Sequence, residues 1–501
     1  MSRLAAARRQ PKGQALIFTL IFVAAAGLVG LLLFNSGMLA NSKTRLQNAV
    51  DAAAYSAGVL QARDHNFSAY TNRAMVANQA SVAQIVSLKS FIEDAVDTGE
   101  RMNGGLLSGY RNLFPSFAPI WDVAKNVGVP AVKGVNTALI GSGVAGAMVK
   151  YLDVLINLYS VAQTAHHLAT LVDMAVIPQE VLKKNDPEAK MSAGVFAVGN
   201  SIAKVTAWGG STKRHKANDS SSEADRFADR VVSSDATDQF TRNRASVPSP
   251  VWISTVKFCP GFSITGFLFN HAGGTQLSSD KKRWLALDAS QGSGFWFCLV
   301  PCPLGLCPIG SPLLEGGGSG GGLAGESGGY DSITGYKNNP SETISYGMAM
   351  VVNPIPAGVR YFSKGPGSTL DSAGGIQDYY RDMKTPTATP ANQSPELNGG
   401  AFPVTFEAER PASSIRTSSS FLTNSSLVKL DDQLASNNLR AAASAHAYFY
   451  RSKNNSGFTS ASWARDDGKV EMENLFNPYW QTRLVDRAAA ERIASIAEQA
   501  N

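Results

Sequence analysis

Polar and apolar positions are unevenly spread along the chain. From Ala15 to Phe34 every side chain is apolar except Thr19. A helix rises 1.5 Å per residue, so this stretch spans about 30 Å, the thickness of a bilayer's hydrocarbon core. Beyond it the apolar positions narrow to one helical face. Leu46, Ala49, Val50, Ala53, Ala57 and Leu60 recur every three or four residues, and Ile85, Leu88, Phe91, Ile92 and Val96 do so again. No proline falls between Lys12 and Pro115. The membrane helix is therefore expected to continue as a long stalk, with Gly58 or residues 64–66 as places for a kink. Its small-residue face is expected to pack against other helices.

A second apolar, helix-like region runs from Pro130 to about Trp208. Lys133, Lys150, Asp153 and the His166–His167 pair interrupt it, which predicts a buried amphipathic bundle rather than a second span. Polar residues dominate from Thr212 to Ser249. The basic run Lys213–Lys216 within it reads as a solvated loop, because Asp219, Glu223 and Asp225 follow. From Pro250 to about Pro411 short apolar runs between Gly and Pro read as strands: VWISTVKF, GFWFCLV, YGMAMVV, VRYF and FPVTFEA. Gly316 to Gly329 reads as a flexible Gly-rich loop. A phosphate cradle would need a following helix and a well-placed lysine, and the segment has neither. Helix is predicted again over Ser426–Asn454. A charged terminal helix is predicted after the aromatic hinge Pro478-Tyr479-Trp480.

The expected fold class is α+β. Its expected parts are a basic tip (1–12), a transmembrane anchor (13–35), a helical stalk (36–102), a helical region (103–211), a polar segment (212–249), a β-rich region (250–424) and C-terminal helices (425–501).

Charge sets the topology. The net charge is +6, but Arg3, Arg8, Arg9 and Lys12 precede the apolar stretch with no acid among them. By the positive-inside rule this tip stays in the cytoplasm and the body lies outside it. The remainder is close to neutral, which gives no reason to expect nucleic acid as a partner. The apolar stretch is longer than a secretory h-region, and the best small-x-small cleavage site, ending at Ala40, has the bulky Met38 two residues before it. A retained signal anchor in the lipid bilayer is expected. Ala26 and Gly30 form a small-xxx-small pair that would let another membrane helix approach, giving a route to a homo-oligomer.

Candidate chemistry is sparse. The cysteines are Cys259, Cys298, Cys302 and Cys307. Their even number and the inferred compartment predict two disulfides, with three pairings open and Cys259 most simply tied to one of the clustered three. Their spacing does not fit the common paired zinc patterns. The six histidines form no H-E-x-x-H, and adjacent His166 and His167 point about 100° apart on a helix, so surface or core roles are expected. No G-x-S-x-G elbow or cysteine-nucleophile signature occurs. LALDASQGS places Asp288, Ser290 and Ser293 close to the D-x-S-x-S metal pattern of von Willebrand A domains. Gly292 occupies the second offset, and the segment reads as a polar turn after a strand. No catalytic, metal or cofactor site is expected.

The basic tip, KGQAL, one membrane helix and then LQNAVDAAAYSAG resemble the N-terminal region of the Tad (Flp) pilus-assembly family, specifically its TadG-like group. ARDHNFSAYTNRAMVANQ and NPYWQTRL are similar to Tad-domain membrane proteins as well. The resemblance implies a bacterial inner-membrane protein with a periplasmic body, working with other pilus or envelope proteins. Processed pilin-like members carry Gly before the cut and Glu five residues on; here Gly13 is followed at that offset by Phe18, which argues against such processing. The leading expectation is a non-catalytic structural or assembly component. The alternatives are an anchored periplasmic enzyme or ligand-binding protein with its site in the β-rich region, or a metal-dependent surface adhesin.

Overall fold

The computed structural model describes residues 14–103, 111–112, 114–214, 225–244, 246–255, 262–303, 305–325, 335–336, 381–383, 402–417, 438–450, 474–487 and 491. The basic tip, Cys259 and the runs YGMAMVV and VRYF lie outside the described residues. The architecture is α+β.

Helix α1 runs unbroken from Gln14 to Asn103, 90 residues, as the absence of proline predicts. Neither Gly58 nor residues 64–66 interrupt it. Its first part, about Ala15 to Phe34, is apolar and exposed and is long enough to cross a membrane. Short helical segments follow: a 3-10 turn at Pro115–Phe117, α2 (Ala118–Val123) and α3 (Val129–Asn136), the last two flanked by π-type turns. Helix α4 spans Val144–Asn185. It also has the length and composition of a membrane span. Yet it buries polar side chains: Gln163 Nε2 donates to Ser68 O at 3.2 Å and to Asn72 Oδ1 at 2.7 Å. Its other side exposes Val144, Met148, Tyr151, Val154 and Leu158, so the expected bundle leaves one apolar face uncovered among the described residues. Strand β1 (Lys190–Met191), helix α5 (Val195–Gly209) and strand β2 (Thr212–Arg214) follow. The basic run predicted as a loop thus begins in a short strand, paired with β7 (Arg381–Met383).

The chain divides into two compact units. The first comprises residues 1–67, 165–212 and 386–501. Its sheet contains β1, β8 (Val404–Pro411), β9 (Asn438–Phe449) and β10 (Trp480–Val485), in the order β1-β8-β9-β10, all antiparallel. Strand β8 arises where FPVTFEA predicts one. Strand β9 is a correction: Ser426–Asn454 is predicted helical, and Asn438–Phe449 is extended. Alanine favours helix intrinsically. Here Ala441, Ala443, Ala445 and Ala447 alternate with Arg440, Ser444, His446 and Tyr448, a period of two, and the alanines are buried. Burial against a neighbour outweighs the local preference of about a kcal/mol or less per residue. Likewise QTRLV after Trp480 forms β10 rather than helix.

The second unit comprises residues 68–164 and 213–385. It holds the short helices α6 (Asp225–Val231) and α7 (Gln239–Arg242) and a four-stranded antiparallel meander. The meander is β3 (Ser246–Thr255), β4 (Phe262–Leu277), β5 (Arg283–Cys302) and β6 (Gly305–Gly325), in that order. VWISTVKF and GFWFCLV supply parts of β3 and β5. Phe114, Phe117, Trp121 and Phe267 form an aromatic core with Trp252 beside them.

The Gly-rich segment is a second correction. Gly316–Gly325 belong to β6 rather than to a loop. A Cβ at Gly318 would lie 2.3 Å from Thr98 N, at Gly320 2.0 Å from Ser90 O, and at Gly322 2.4 Å from Val86 O. Three glycines at a spacing of two meet α1 in turn at Thr98, Ser90 and Val86. Helix backbone lies directly on strand backbone, which only glycine permits.

Candidate functional site

The motif LQNAVDAAAYSAG builds a helix-on-sheet clamp within the first unit. Leu46, Ala49, Val50, Ala53, Ala54 and Ala57 are fully buried, in one core with Ala441, Ala443 and Ala445 of β9, Met174 and Leu182 of α4, and Trp208 of α5. Small side chains on both surfaces bring the backbones together. At Gly58 an added Cβ would meet Thr482 Cγ2 at 2.5 Å and Ala445 Cβ at 3.3 Å. The predicted packing positions Ala53 and Ala57 are thus occupied inside the chain, by sheet as well as by helices. They are not an open surface for partner helices. Ala26 and Gly30 differ: they lie on the exposed apolar part of α1, with open space around Gly30.

The polar residues of the same face hold strand backbone. Gln61 Nε2 donates to Phe402 O at 3.1 Å, and its Oε1 accepts from Ala447 N at 3.0 Å. Asn66 donates to Trp480 O at 3.0 Å and accepts from Trp480 N at 3.1 Å, substituting for a neighbouring strand. Lys43 Nζ reaches Arg440 O, and Gln47 Nε2 reaches Ala442 O at 3.3 Å. In the second unit α1 repeats the device on the edge strand β6. Lys89 Nζ donates to Gly321 O at 2.8 Å, while Asp97 accepts from Ser319 N at 3.0 Å. Glu93 accepts from Gly321 N at 3.4 Å.

Two buried polar clusters are the candidates for chemistry. In the first unit Asp64 Oδ1 meets His166 Nδ1 at 2.9 Å, and Oδ2 meets His167 Nδ1 at 2.6 Å. Neighbouring histidines that diverge at the helix still converge on the two oxygens of one carboxylate. His167 Nε2 lies 3.1 Å from Gly209 O, and Trp208 Nε1 donates to His65 Nε2 at 2.9 Å. Burial opposes ionisation of Asp64, but the two histidines hold its carboxyl well below the usual carboxylate range. His65 also stacks on Trp480, with ring centroids 4.3 Å apart, so the predicted aromatic hinge is a packed strand start.

In the second unit Asp288 is wholly buried. Arg244 grips it in two bonds, Nε to Oδ1 and Nη2 to Oδ2, each 2.7 Å. His271 Nε2 lies 2.9 Å from Oδ1. On its other side His271 Nδ1 lies 2.9 Å from Ser290 Oγ and 3.3 Å from Asp94 Oδ2. Asp94 accepts from Ser290 N at 3.1 Å and from Ser290 Oγ at 2.5 Å. Carboxylate, imidazole and hydroxyl are in contact, as in a nucleophilic relay, but the imidazole is placed to carry a charge. Burial works against the charge on His271, yet the bonds to Asp288 and Asp94 push its pKa up to about 9. A protonated imidazole cannot act as a base. Ser290 already donates to Asp94 and is buried. Burial pushes the carboxyl of Asp94 above the usual carboxylate range, against the bonds from His271 and Ser290. Together Asp94, Arg244, His271 and Asp288 form a quartet that braces α1 to β4 and β5.

Asp288 therefore does not sit in a polar turn: LALDASQGS runs through β5. Nor is its carboxylate open to a metal, since Arg244 and His271 take both oxygens. Among the described residues no group of three or more His, Cys, Asp or Glu side chains is placed to hold a metal ion. Cys298 is buried on β5 opposite Ile309, Cys302 stands opposite Gly305, and Cys307 of β6 is opposite Val300.

A single long helix carries an apolar stretch long enough to cross a membrane and continues into the buried core of an α+β protein. Residues 13–64 match the family model described as putative Flp pilus-assembly TadE/G-like. The match covers the apolar stretch and the whole alanine clamp, and it agrees with the resemblance read from KGQAL and LQNAVDAAAYSAG. No curated protein and no solved structure matches the chain.

Proposed function

We propose that the protein is a non-catalytic assembly component of Flp-type pilus biogenesis. It is anchored by α1 in the bacterial inner membrane with the basic tip in the cytoplasm and the body in the periplasm. The observation that carries this reading is the extent of the family match, 13–64, which joins an exposed apolar span to a buried docking face. The span supplies the membrane contact and the docking face makes it continuous with the body. Ala26 and Gly30 are the surface for other membrane helices, either a second copy or another pilus or envelope protein. Charge in Arg3, Arg8, Arg9 and Lys12 sets the orientation, and disulfides among Cys259, Cys298, Cys302 and Cys307 stabilise the β-rich part.

Gly30→Leu tests this. A Cβ added at Gly30 has nothing within 4 Å, so the body is expected to fold normally while pilus assembly falls. Normal assembly at unchanged abundance would reject the membrane-packing role. A reporter active only outside the cytoplasm, fused after Asn501, is expected to be active. Thiol labelling of protein from the native envelope without reduction is expected to find no free cysteine.

A further inference from the structure

Strand β9 is longer than its neighbour on one side. It pairs with β8 along Asn438–Ala445, but β10 stops at Val485, opposite Ser444. Among the described residues, Asn438 to Ala443 therefore have no strand partner on the β10 side. The direction of their backbone groups is fixed by two bonds. Tyr450 N donates to Tyr479 O, so even-numbered positions of β9 face the β10 side. Ser192 N donates to Glu407 O, so Glu407, opposite Ala442, turns its own groups away from β9. Arg440 and Ala442 consequently aim both N–H and C=O at the vacant side.

That side is a cavity of about 710 Å³, lined by Lys43, Gln47 and Asp51 of α1, by Arg440–Ser444 of β9, and by Leu484–Arg487. The volume lies within the range of about 300–1,000 Å³ common for ligand sites. Only the two carbonyls are held, by Lys43 and Gln47, and the second bond is long at 3.3 Å. The edge of β6 differs: there α1 satisfies N–H as well as C=O groups, and glycines bring the helix against the strand. Three cations (Lys43, Arg440, Arg487) face three carboxylates (Asp51, Glu407, Asp486), so the lining has no net charge to select a charged small ligand. What it presents is a row of backbone groups in line with an existing strand.

We infer that this groove accepts an extended segment of a partner polypeptide, which adds to β9 as a strand in the line that β10 vacates. Its N–H groups replace the Lys43 and Gln47 donors on Arg440 O and Ala442 O, and its carbonyls accept from Arg440 N and Ala442 N. Main-chain bonds of this kind supply affinity with little dependence on sequence. The inference deepens the assembly reading, on which the partner's being an envelope protein rests; the groove's chemistry stands apart from it.

The probe is an acetylated, amidated peptide copying Trp480–Arg487, a sequence that already pairs with β9. It is titrated by fluorescence anisotropy into the full-length protein in detergent. Saturable binding is expected, with slowed hydrogen exchange at Arg440 and Ala442. Ala442→Pro deletes an N–H that faces the cavity and leaves the β8 ladder untouched. It is expected to weaken binding at least tenfold with an unchanged near-ultraviolet spectrum. Lys43→Ala frees Arg440 O and is expected to strengthen binding. No saturable binding, or exchange unchanged at Arg440 and Ala442 in the unaltered protein, would overturn the proposal. So would self-association of the unaltered protein that Ala442→Pro abolishes, because the occupant would then be a second copy. The peptide assay reads the groove alone, and Gly30→Leu reads the assembly role, so the two can fail separately.

Discussion

Replacing Asp288 by Asn keeps the shape of the side chain and deletes one charge of the buried quartet. Arg244 and His271, whose side chains are only 2% and 9% exposed, would be left facing one carboxylate, that of Asp94. Breaking a buried ion pair from one end costs about 3–5 kcal/mol, because the orphaned charge remains in a poorly solvating interior. That is a large share of the roughly 5–15 kcal/mol that holds a domain together. Each 1.4 kcal/mol is a factor of ten, so amides of β4 and β5 that exchange through opening of this unit should exchange about 10²- to 10³-fold faster. Hydrogen exchange with mass spectrometry on the detergent-solubilised protein reads this unit by unit. The partner substitution Arg244→Met sharpens the test. Deleting both Asp288 and Arg244 charges removes the two ends of one direct ion pair together, so the double variant should be less impaired than the sum of the singles. A coupling of about 1–3 kcal/mol is expected. An Asp288→Asn protein with unaltered exchange, or strictly additive singles, would refute the account of the quartet as a mutually compensating brace.

Gly320→Ala places a methyl group 2.0 Å from Ser90 O and should force α1 off β6, at a cost of at least the 1–3 kcal/mol typical of overpacking, measurable as faster exchange in β6. Ala53→Leu, at a fully buried site, should destabilise the first unit by a similar amount and lower abundance; a silent substitution would contradict the clamp. The two units should respond oppositely to pH. His271, raised to about 9, contributes stability that is complete below about pH 6.5 and is lost as pH climbs through 9. His446 is held down to about 4 by burial and by Arg483, so its contribution is complete above about pH 6.5 and is lost as pH falls toward 4. Unit-resolved exchange at pH 5 and pH 9.5, corrected for intrinsic rates, separates the two.

The apolar stretch from Ala15 to Phe34, the helical face from Leu46 to Leu60 and several strands are legible in the sequence, because each shows its pattern in side-chain chemistry. The Gly-rich strand is not. Its period of two is written in the absence of side chains, and the reason for it lies in Val86, Ser90 and Asp94, more than 200 positions away. Strand β9 carries its period openly at Ala441, Ala443, Ala445 and Ala447, but alanine speaks for helix when it is read alone. The quartet gathers Asp94, His271 and Asp288 from α1, β4 and β5, and Arg244 from the connection before β3, and no local spacing announces it. One local signal is an acid, Asp94, set between Ile92 and Val96 of the second apolar helical series. The metal-like pattern around Asp288 marked the right residue for the wrong chemistry.

The helix that satisfies strand edges in both units also precedes every strand among the described residues. Synthesis runs from the N-terminus, so α1 is complete before the first residue of β3 leaves the ribosome, and long before β9 and β10. Bare strand edges are the templates on which unfinished proteins aggregate. Here Asn66, Lys89 and Asp97 are waiting when those edges appear. The helix is thus in place to cover each of these edges as it forms, before a second chain can pair with it.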